Sequence, residues 1–443
     1  MYSRRSRSPS RRTWVAALVL AGSLPLSSCE SKLLDFNDPD IVDPGSAQSA
    51  SGAIALKNGT IRRFTTATSG DESTWLFGGL LADEWRSGDT FEQRNSTDRR
   101  AIDITNSFLT GQMLILNRVR YQGQQAIQTL RTYAPSPISN VGLMFALIGY
   151  AEVLMGENYC NGLAFSEVAP DGSFIYGTRV TVDSAFKRAA ASADSALANT
   201  DGSADGVKVA NLARIVKGRA LLNLNRPADA AAAVATVPTG YSYTVGHSNN
   251  TTTNQIWSLN TGAKRYVVAN NEGGNGLPFA SANDPRLPVT TGGLAFDTQT
   301  PFASQTKYGQ FDSVSAANGT EARLIEAEAA LRADAAVTWL DKLNAPRALK
   351  TGLAPLTDPV DPTARINLTF YERGFWFFGL GHRLGDLRRL VRQYARGAET
   401  VFPTGTFPKG ANYGTNTSIP IAFDETNNPN YVQGDDTCLD RNP

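Results

Sequence analysis

Glu372-Arg-Gly-Phe-Trp-Phe-Phe-Gly-Leu-Gly-His-Arg-Leu-Gly-Asp-Leu-Arg-Arg389 is the stretch on which the reading of the fold turns. Apolar spacing on either side of its glycines predicts two helices, Ala364–Phe378 and His382–Tyr394, joined by a tight corner. Carboxylates and guanidiniums lie close together here, which invites a catalytic reading. Arg–carboxylate pairs are planar and bidentate, however, and suit the joining of two helices. Glu372 with Arg383 or Arg388, and Asp386 with Arg389, are therefore expected to lock the corner, and Arg373 belongs to the same motif. Trp376, inside Phe375-Trp-Phe-Phe378, is expected in the core. His382 stands alone among glycines, and His247 lies in a polar loop. Two such histidines give no ligand spacing for a zinc site.

Outward from this corner the chain reads as mostly helical. Periodic apolar residues predict helices over Ala53–Leu81, Gly111–Arg131 and Val141–Gly156. The last is apolar almost all round, as buried helices are, and at that length is short for a membrane span. Val182–Ala198 and Val209–Leu224 form a pair, with Thr181 as an N-cap and Asp-Gly turns at 201–202 and 205–206. An alanine-rich helix follows from Pro227. Small Gly218 and Ala220, with Leu221 and Leu224 along the seam, make this block similar to a tetratricopeptide unit; a plain bundle is the alternative. Helices resume at Glu321–Arg332 and Ala335–Asn344. Between the blocks, about 239–315 is a loop-rich insertion with few short strands such as Arg265–Ala269, and 401–443 is loop.

The N-terminus supplies an address. Arg4, Arg5, Arg7, Arg11 and Arg12 precede the apolar run Trp14–Leu26, and Ser27-Ser-Cys29 ends it. A basic region, a short apolar region and small residues make an export signal. Cysteine after Leu-Ser-Ser resembles a bacterial lipobox, which implies removal of residues 1–28 and lipidation of Cys29; an ordinary cleaved signal is the alternative. Residues 29–50 read as a tether, and 51–443 as a single helical domain. Charge is balanced over the 443 residues, with Lys+Arg 42 and Asp+Glu 41. Arginines leave with the signal, so an electrostatic nucleic-acid binder is disfavoured. Cys160 and Cys438 remain, and in an exported protein they are expected to form a disulfide, two separate thiols being the alternative.

Several segments together resemble the SusD/RagB family of outer-membrane lipoproteins. Glu157-Asn-Tyr-Cys-Asn-Gly-Leu-Ala-Phe-Ser166 is similar to the family's loop after a helix. Glu321-Ala-Arg-Leu-Ile-Glu-Ala-Glu-Ala-Ala-Leu331 is similar to its acidic, alanine-rich helix. The 372–389 stretch matches its Glu-Arg, aromatic, Gly-x-Arg and Asp-Leu-x-Arg arrangement, and Asn428-Pro-Asn430 its tail. The resemblance implies a mostly α fold of tetratricopeptide-like helix pairs carrying a loop-rich ligand face. It also implies an outer-membrane location, lipid-anchored and facing the cell exterior, and capture of a glycan or peptide for a SusC-like TonB-dependent β-barrel transporter. No cofactor and no enzymatic activity are implied. At 443 residues the chain is short for the family, so its ligand-binding insertions are expected to be trimmed.

Among the residues themselves, aromatics in polar surroundings are the functional lead, because sugar rings stack their C–H faces on flat side chains. Trp75, Trp85, Phe91, Trp257, Tyr266 and Tyr308 are the candidates, with packing as the alternative role for each. A glycosidase needs two carboxylates across one sugar. Asp83 with Glu84, and Glu326 with Glu328, diverge by their spacing, and Asp284 stands as a further candidate. No nucleophile elbow, phosphate loop or paired CxxC motif is present. Glycan capture is therefore expected, against a lipid-anchored periplasmic interaction scaffold or, less well supported, a hydrolase.

Overall fold

A computed structural model describes residues 48–169, 173–431 and 437–441. The expected signal peptide, Cys29 and almost all of the tether lie outside the described residues. The long helix expected over 53–81 is two helices, α1 (Ala50–Ser69) and α2 (Thr74–Leu81). Ser49 caps α1 by accepting from the Gly52 N–H at 3.0 Å. The break falls at Gly70 and at Glu72, whose φ is +48°. Glu72 leaves the helical path because its carboxylate is needed elsewhere: it takes the Arg94 guanidinium and the Tyr266 hydroxyl, the latter at 2.7 Å. A short helix that the apolar pattern did not predict, α3 (Glu92–Asp98), follows.

From there the helices pack in chain order. They are α4 (Ser107–Tyr133), α5 (Ser139–Asn158), α6 (Val182–Ala198), α7 (Ala204–Asn223), α8 (Pro227–Val234), α9 (Gly319–Arg332) and α10 (Ala336–Arg347). Each contacts its predecessor from α5 onward, as tetratricopeptide-like pairs do. Gly218 permits α7 and α8 to approach closely: a Cβ there would lie 2.6 Å from Val234 Cγ1. Helix α5 is long and apolar enough to cross a membrane, yet 83% of its most apolar window is buried inside the protein, as in a core helix. Helix α7 starts five residues earlier than its apolar pattern suggests, because the Ser203 hydroxyl accepts from the Gly206 N–H and nucleates a polar first turn.

The loop-rich insertion carries paired ribbons and no larger sheet among the described residues. Strand β1 (Trp85–Ser87) lies antiparallel to β7 (Tyr266–Val268), and β6 (Ser242–Val245) to β10 (Val314–Asn318). Hairpin β8 (Val289–Leu294)–β9 (Pro301–Gln305) completes this region. Ribbons β2 (Leu163–Ala164)–β5 (Arg179–Val180) and β3 (Glu167–Val168)–β4 (Phe174–Ile175) follow α5. A disulfide joins Cys160 to Cys438, 278 residues apart, and bridges at Tyr159–Ile419 and Asn161–Asp440 lay the tail along the same loop. On a chain-entropy argument a loop of this length contributes at most ~5 kcal/mol.

The last pair, α11 (Pro362–Trp376) and α12 (Arg383–Tyr394), is locked by buried charge; the expected pair Asp386–Arg389 forms, while Glu372 takes partners other than Arg383 or Arg388. Arg373 donates to Asp386 through Nε and Nη2, each at 2.8 Å, and Arg389 reaches the same carboxylate at 3.0 Å and Glu328 of α9 at 2.8 Å. Glu372 turns away from Arg383 and Arg388. It takes Arg286 at 2.7 Å and Arg347 at 2.8 Å. Arg383 instead holds Asp83, at the end of α2, with contacts of 2.5 and 2.8 Å. Arg388 donates to the carbonyls of Gly156 and Glu157. For Glu372, Arg383 and Arg388 the partners close in sequence lost to distant ones, because packing brings other elements around the corner. Gly381, at φ +66°, makes the turn: a Cβ there would lie 2.1 Å from Trp75 Cδ1. Trp376 is partly buried against the core rather than enclosed by it.

Burial would raise the Asp386 carboxyl, but Arg373 and Arg389 overcome it and hold the group at about 2. These charges are excluded from water, so removing one leaves its partner uncompensated. Arg383→Ala is expected to destabilise the protein by about 3–5 kcal/mol. Arg226→Ala, which breaks the exposed pair with Asp229, is expected to cost less than about 1 kcal/mol. Urea unfolding followed by circular dichroism compares the two, and equal effects would mean that charge burial does not hold the corner.

Candidate functional site

The six aromatic candidates separate sharply by burial. Trp75, Trp85 and Tyr266 are fully enclosed, and Tyr308 is nearly so. In this conformation they present no face to a ligand. Trp85 packs edge-on to Tyr266 at 6.1 Å and against Phe378 at 4.6 Å. Trp75 lies under the Gly381 turn. Trp257 is half-buried in a helical turn over Gly262. Phe91 alone of the six is well exposed, at 46%.

Phe91 stands at the top of a ladder that rises from the core. The Tyr266 ring is its base, and the Arg94 guanidinium lies 5.6 Å from it. Arg94 is also 5.4 Å from the Phe91 ring, Arg265 is 5.1 Å from Phe91, and Phe296 closes the stack 3.9 Å from Arg265. Rings and cations alternate, each cation facing the negative face of a ring. Phe296 is 47% exposed, so the upper end opens to solvent.

The backbone builds this ladder from distant segments. Antiparallel pairing of β1 and β7 sets Gly88 beside Arg265, whose carbonyl accepts the Gly88 N–H at 2.9 Å. The turn of the β8–β9 hairpin then folds onto both: Phe296 N–H donates to the Lys264 carbonyl, and Asp297 N–H to that of Gly88. Asp89 is the clamp. Its buried carboxylate accepts from Arg94 and, at 2.8 and 2.9 Å, from Arg265. Burial would raise its pKa, but these guanidiniums hold it below the usual carboxylate range. Lys409 ties in the C-terminal segment through Asp297 at 2.8 Å and the Asp89 carbonyl at 2.7 Å. The result is two rigidly held, partly exposed rings flanking a guanidinium, a surface that offers apolar contact and hydrogen-bond donors together.

Phe296 and Arg265 escaped the sequence reading. Phe296 sits on a hairpin just after Gly292-Gly293, and an aromatic at a glycine-rich turn is the signal that could have found it. Arg265 carries no such signal, because only the β1–β7 register places it between two rings.

Apart from Glu84, the carboxylates weighed for hydrolysis are paired with cations. Asp83 holds Arg383 and accepts the Leu277 N–H. Glu326 takes Arg323 and Lys342, Glu328 takes Arg389, and Asp284 takes Arg286. His382 is stacked on Phe377 at 4.3 Å with its Nδ1 against the Leu380 carbonyl. Among the described residues no group of three histidine, cysteine or carboxylate side chains is placed to hold a metal.

Glu84 is the exception in protonation. Burial pushes its carboxyl up to about 8, while the Gly379 N–H, donated at 3.1 Å, works against that rise. Burial likewise pushes Lys307 down to about 7, with Glu84 opposing. Between pH 4.5 and 8 the folded state keeps a proton on Glu84 that the unfolded chain releases, so stability falls as pH rises through that window. Lys307 acts in the opposite sense above pH 7, where the unfolded lysine still holds its proton. Glu84→Gln is expected to flatten the fall. Melting temperatures from pH 5 to 8 test this, and an unchanged slope in the variant would refute it.

No family model matches the sequence, and no curated protein does so. The fold, in contrast, matches many solved structures. A SusD superfamily protein from Parabacteroides distasonis superposes with a TM-score of 0.65 at 13% identity, over 87% of this chain and 99% of that one. A SusD superfamily protein from Bacteroides thetaiotaomicron gives 0.61 at 14%, over 87% and 100%. A SusD-like carbohydrate binding protein from Bacteroides vulgatus gives 0.57 at 12%, over 76% and 83%. The chain has the SusD-like fold.

Proposed function

We propose that this SusD-like chain is a surface-exposed outer-membrane lipoprotein that captures a glycan and delivers it to a TonB-dependent β-barrel transporter. The ladder ending in Phe91, Arg265 and Phe296 carries the reading. Its exposed rings offer C–H stacking, and Arg265 and the neighbouring polar loop offer hydrogen bonds to hydroxyls, the combination that saccharide recognition uses. The lipobox-like Cys29 supports the anchor. The Bacteroides vulgatus protein of the same fold is described as carbohydrate binding, which supports the ligand class. The protein takes up no catalytic role in this reading: it concentrates ligand at the membrane and hands it on.

Phe91→Ala and Phe296→Ala are each expected to weaken glycan binding about 5- to 10-fold, in line with roughly 1 kcal/mol for a well-placed ring contact. Isothermal titration with the glycan that the unsubstituted protein selects measures this, and unchanged affinity in both variants would remove the ladder from the site. Detergent extraction of the lipidated protein from its native membrane is expected to bring down a large TonB-dependent barrel in equal amount. Recovery with soluble periplasmic proteins alone would favour the scaffold role instead.

A further inference from the structure

A second concave surface lies away from the ladder, between α4 and the ribbon β3–β4. Its two lobes have volumes of about 550 and 320 Å³ and share Leu114, Asn117, Ser166 and Glu425, so they form one groove. The larger lobe alone falls in the range of ~300–1,000 Å³ usual for small-ligand sites. Phe174 lines one lobe and Tyr176 the other. Their rings lie 6.2 Å apart and tilted by 34°. They are 67% and 48% exposed, and Tyr121 of α4 adds a third open ring across the groove. Large open aromatics gathered in one concavity are unusual on a protein surface and mark a binding site.

The floor is built, not incidental. Arg120 is buried there, with its guanidinium 4.7 Å from the Phe165 ring and 3.5 Å from the Glu152 carboxylate. It also donates to Asn117 Oδ1 at 2.9 Å. That bond fixes the Asn117 amide and leaves its N–H donors to the groove. The wall is held from behind by the tail: Asn430 donates to the Tyr176 carbonyl at 2.8 Å, and Asn428 to that of Gly177 at 3.0 Å. Charges of both signs line the cavity: Arg118 and Arg120 with Glu167, Asp424 and Glu425. An acyl chain would strip water from these groups without replacing its hydrogen bonds. An anion meets the carboxylates, and a cation meets the arginines. A neutral polyol satisfies donors and acceptors together while its ring faces stack on the aromatics.

We infer that this groove is a second saccharide-binding subsite, which takes part of a glycan chain separately from the Phe91–Phe296 ladder. The inference rests on the glycan reading proposed above. It is tested by affinity electrophoresis of the intact protein in native gels containing starch, xylan, pectin, arabinogalactan or dextran. A Phe174→Ala/Tyr176→Ala variant and a Phe91→Ala/Phe296→Ala variant run beside it. Both pairs are exposed, so unchanged thermal melting serves as the folding control. The groove variant is expected to lose at least about 10-fold in apparent affinity for the polysaccharide that retards the unsubstituted protein. Loss in the groove variant alone would support the subsite and remove the ladder. Retardation equal to that of the unsubstituted protein would overturn the subsite and leave the capture reading standing. Failure of the unsubstituted protein to bind any of the five, or displacement by a casein peptide digest, would overturn both.

Discussion

The pair Arg373–Asp386, with Arg389 and Glu328 closing the ring around it, is the constraint on which the rest of the structure depends. Buried charge is costly unless every partner arrives, so it tolerates little displacement of the elements that bring the partners. Here those elements are α9, α11 and α12. Arg383 extends the constraint to Asp83 at the end of α2, and Arg219 extends it from α7 to Glu157 of α5 and the Gly381 carbonyl. Helices that are distant along the chain thereby meet at one corner. Hydrophobic packing supplies the bulk of the stabilisation, while the charge geometry restricts which packing is admissible.

The ladder and the corner are mechanically joined. Asp83, Glu84 and Trp85 are consecutive: the first is held by the corner, the second accepts from the Gly379 backbone, and the third begins β1. Strand β1 then pairs with β7, which places Arg265 next to Phe91. Rigid placement matters for a binding surface, because side chains already fixed lose little entropy when ligand arrives. Asp89 performs that service for both guanidiniums at once.

Much of the helical architecture was legible in the amino-acid pattern. Val182–Ala198 has the bounds its periodicity predicts, and most other helices differ only at their ends. Ends move where a cap intervenes, as Ser203 shows, since capping depends on a hydroxyl and not on the apolar stripe. The 53–81 pattern hid its break because Glu72 departs from the helix to satisfy Arg94 and Tyr266, partners far off in sequence. Aromatics were the least legible feature. Trp85 sits among polar neighbours in sequence, and Trp75 and Tyr266 each stand where a polar stretch meets an apolar run, yet all three are enclosed in space, whereas Phe296 stands open.

By itself the sequence determined the helix pairs, the loop-rich insertion between them and the corner motif, because apolar periodicity and capping chemistry act over a few residues. It also carries the basic and apolar run that ends at Cys29, on which the proposed anchor rests. Beyond the expected Asp386–Arg389 contact, tertiary structure alone decided which arginine takes which carboxylate, which rings face water and where a concave surface opens. These depend on distances between segments far apart in the chain, 300 residues in the case of Arg383 and Asp83, and no local pattern encodes such a distance.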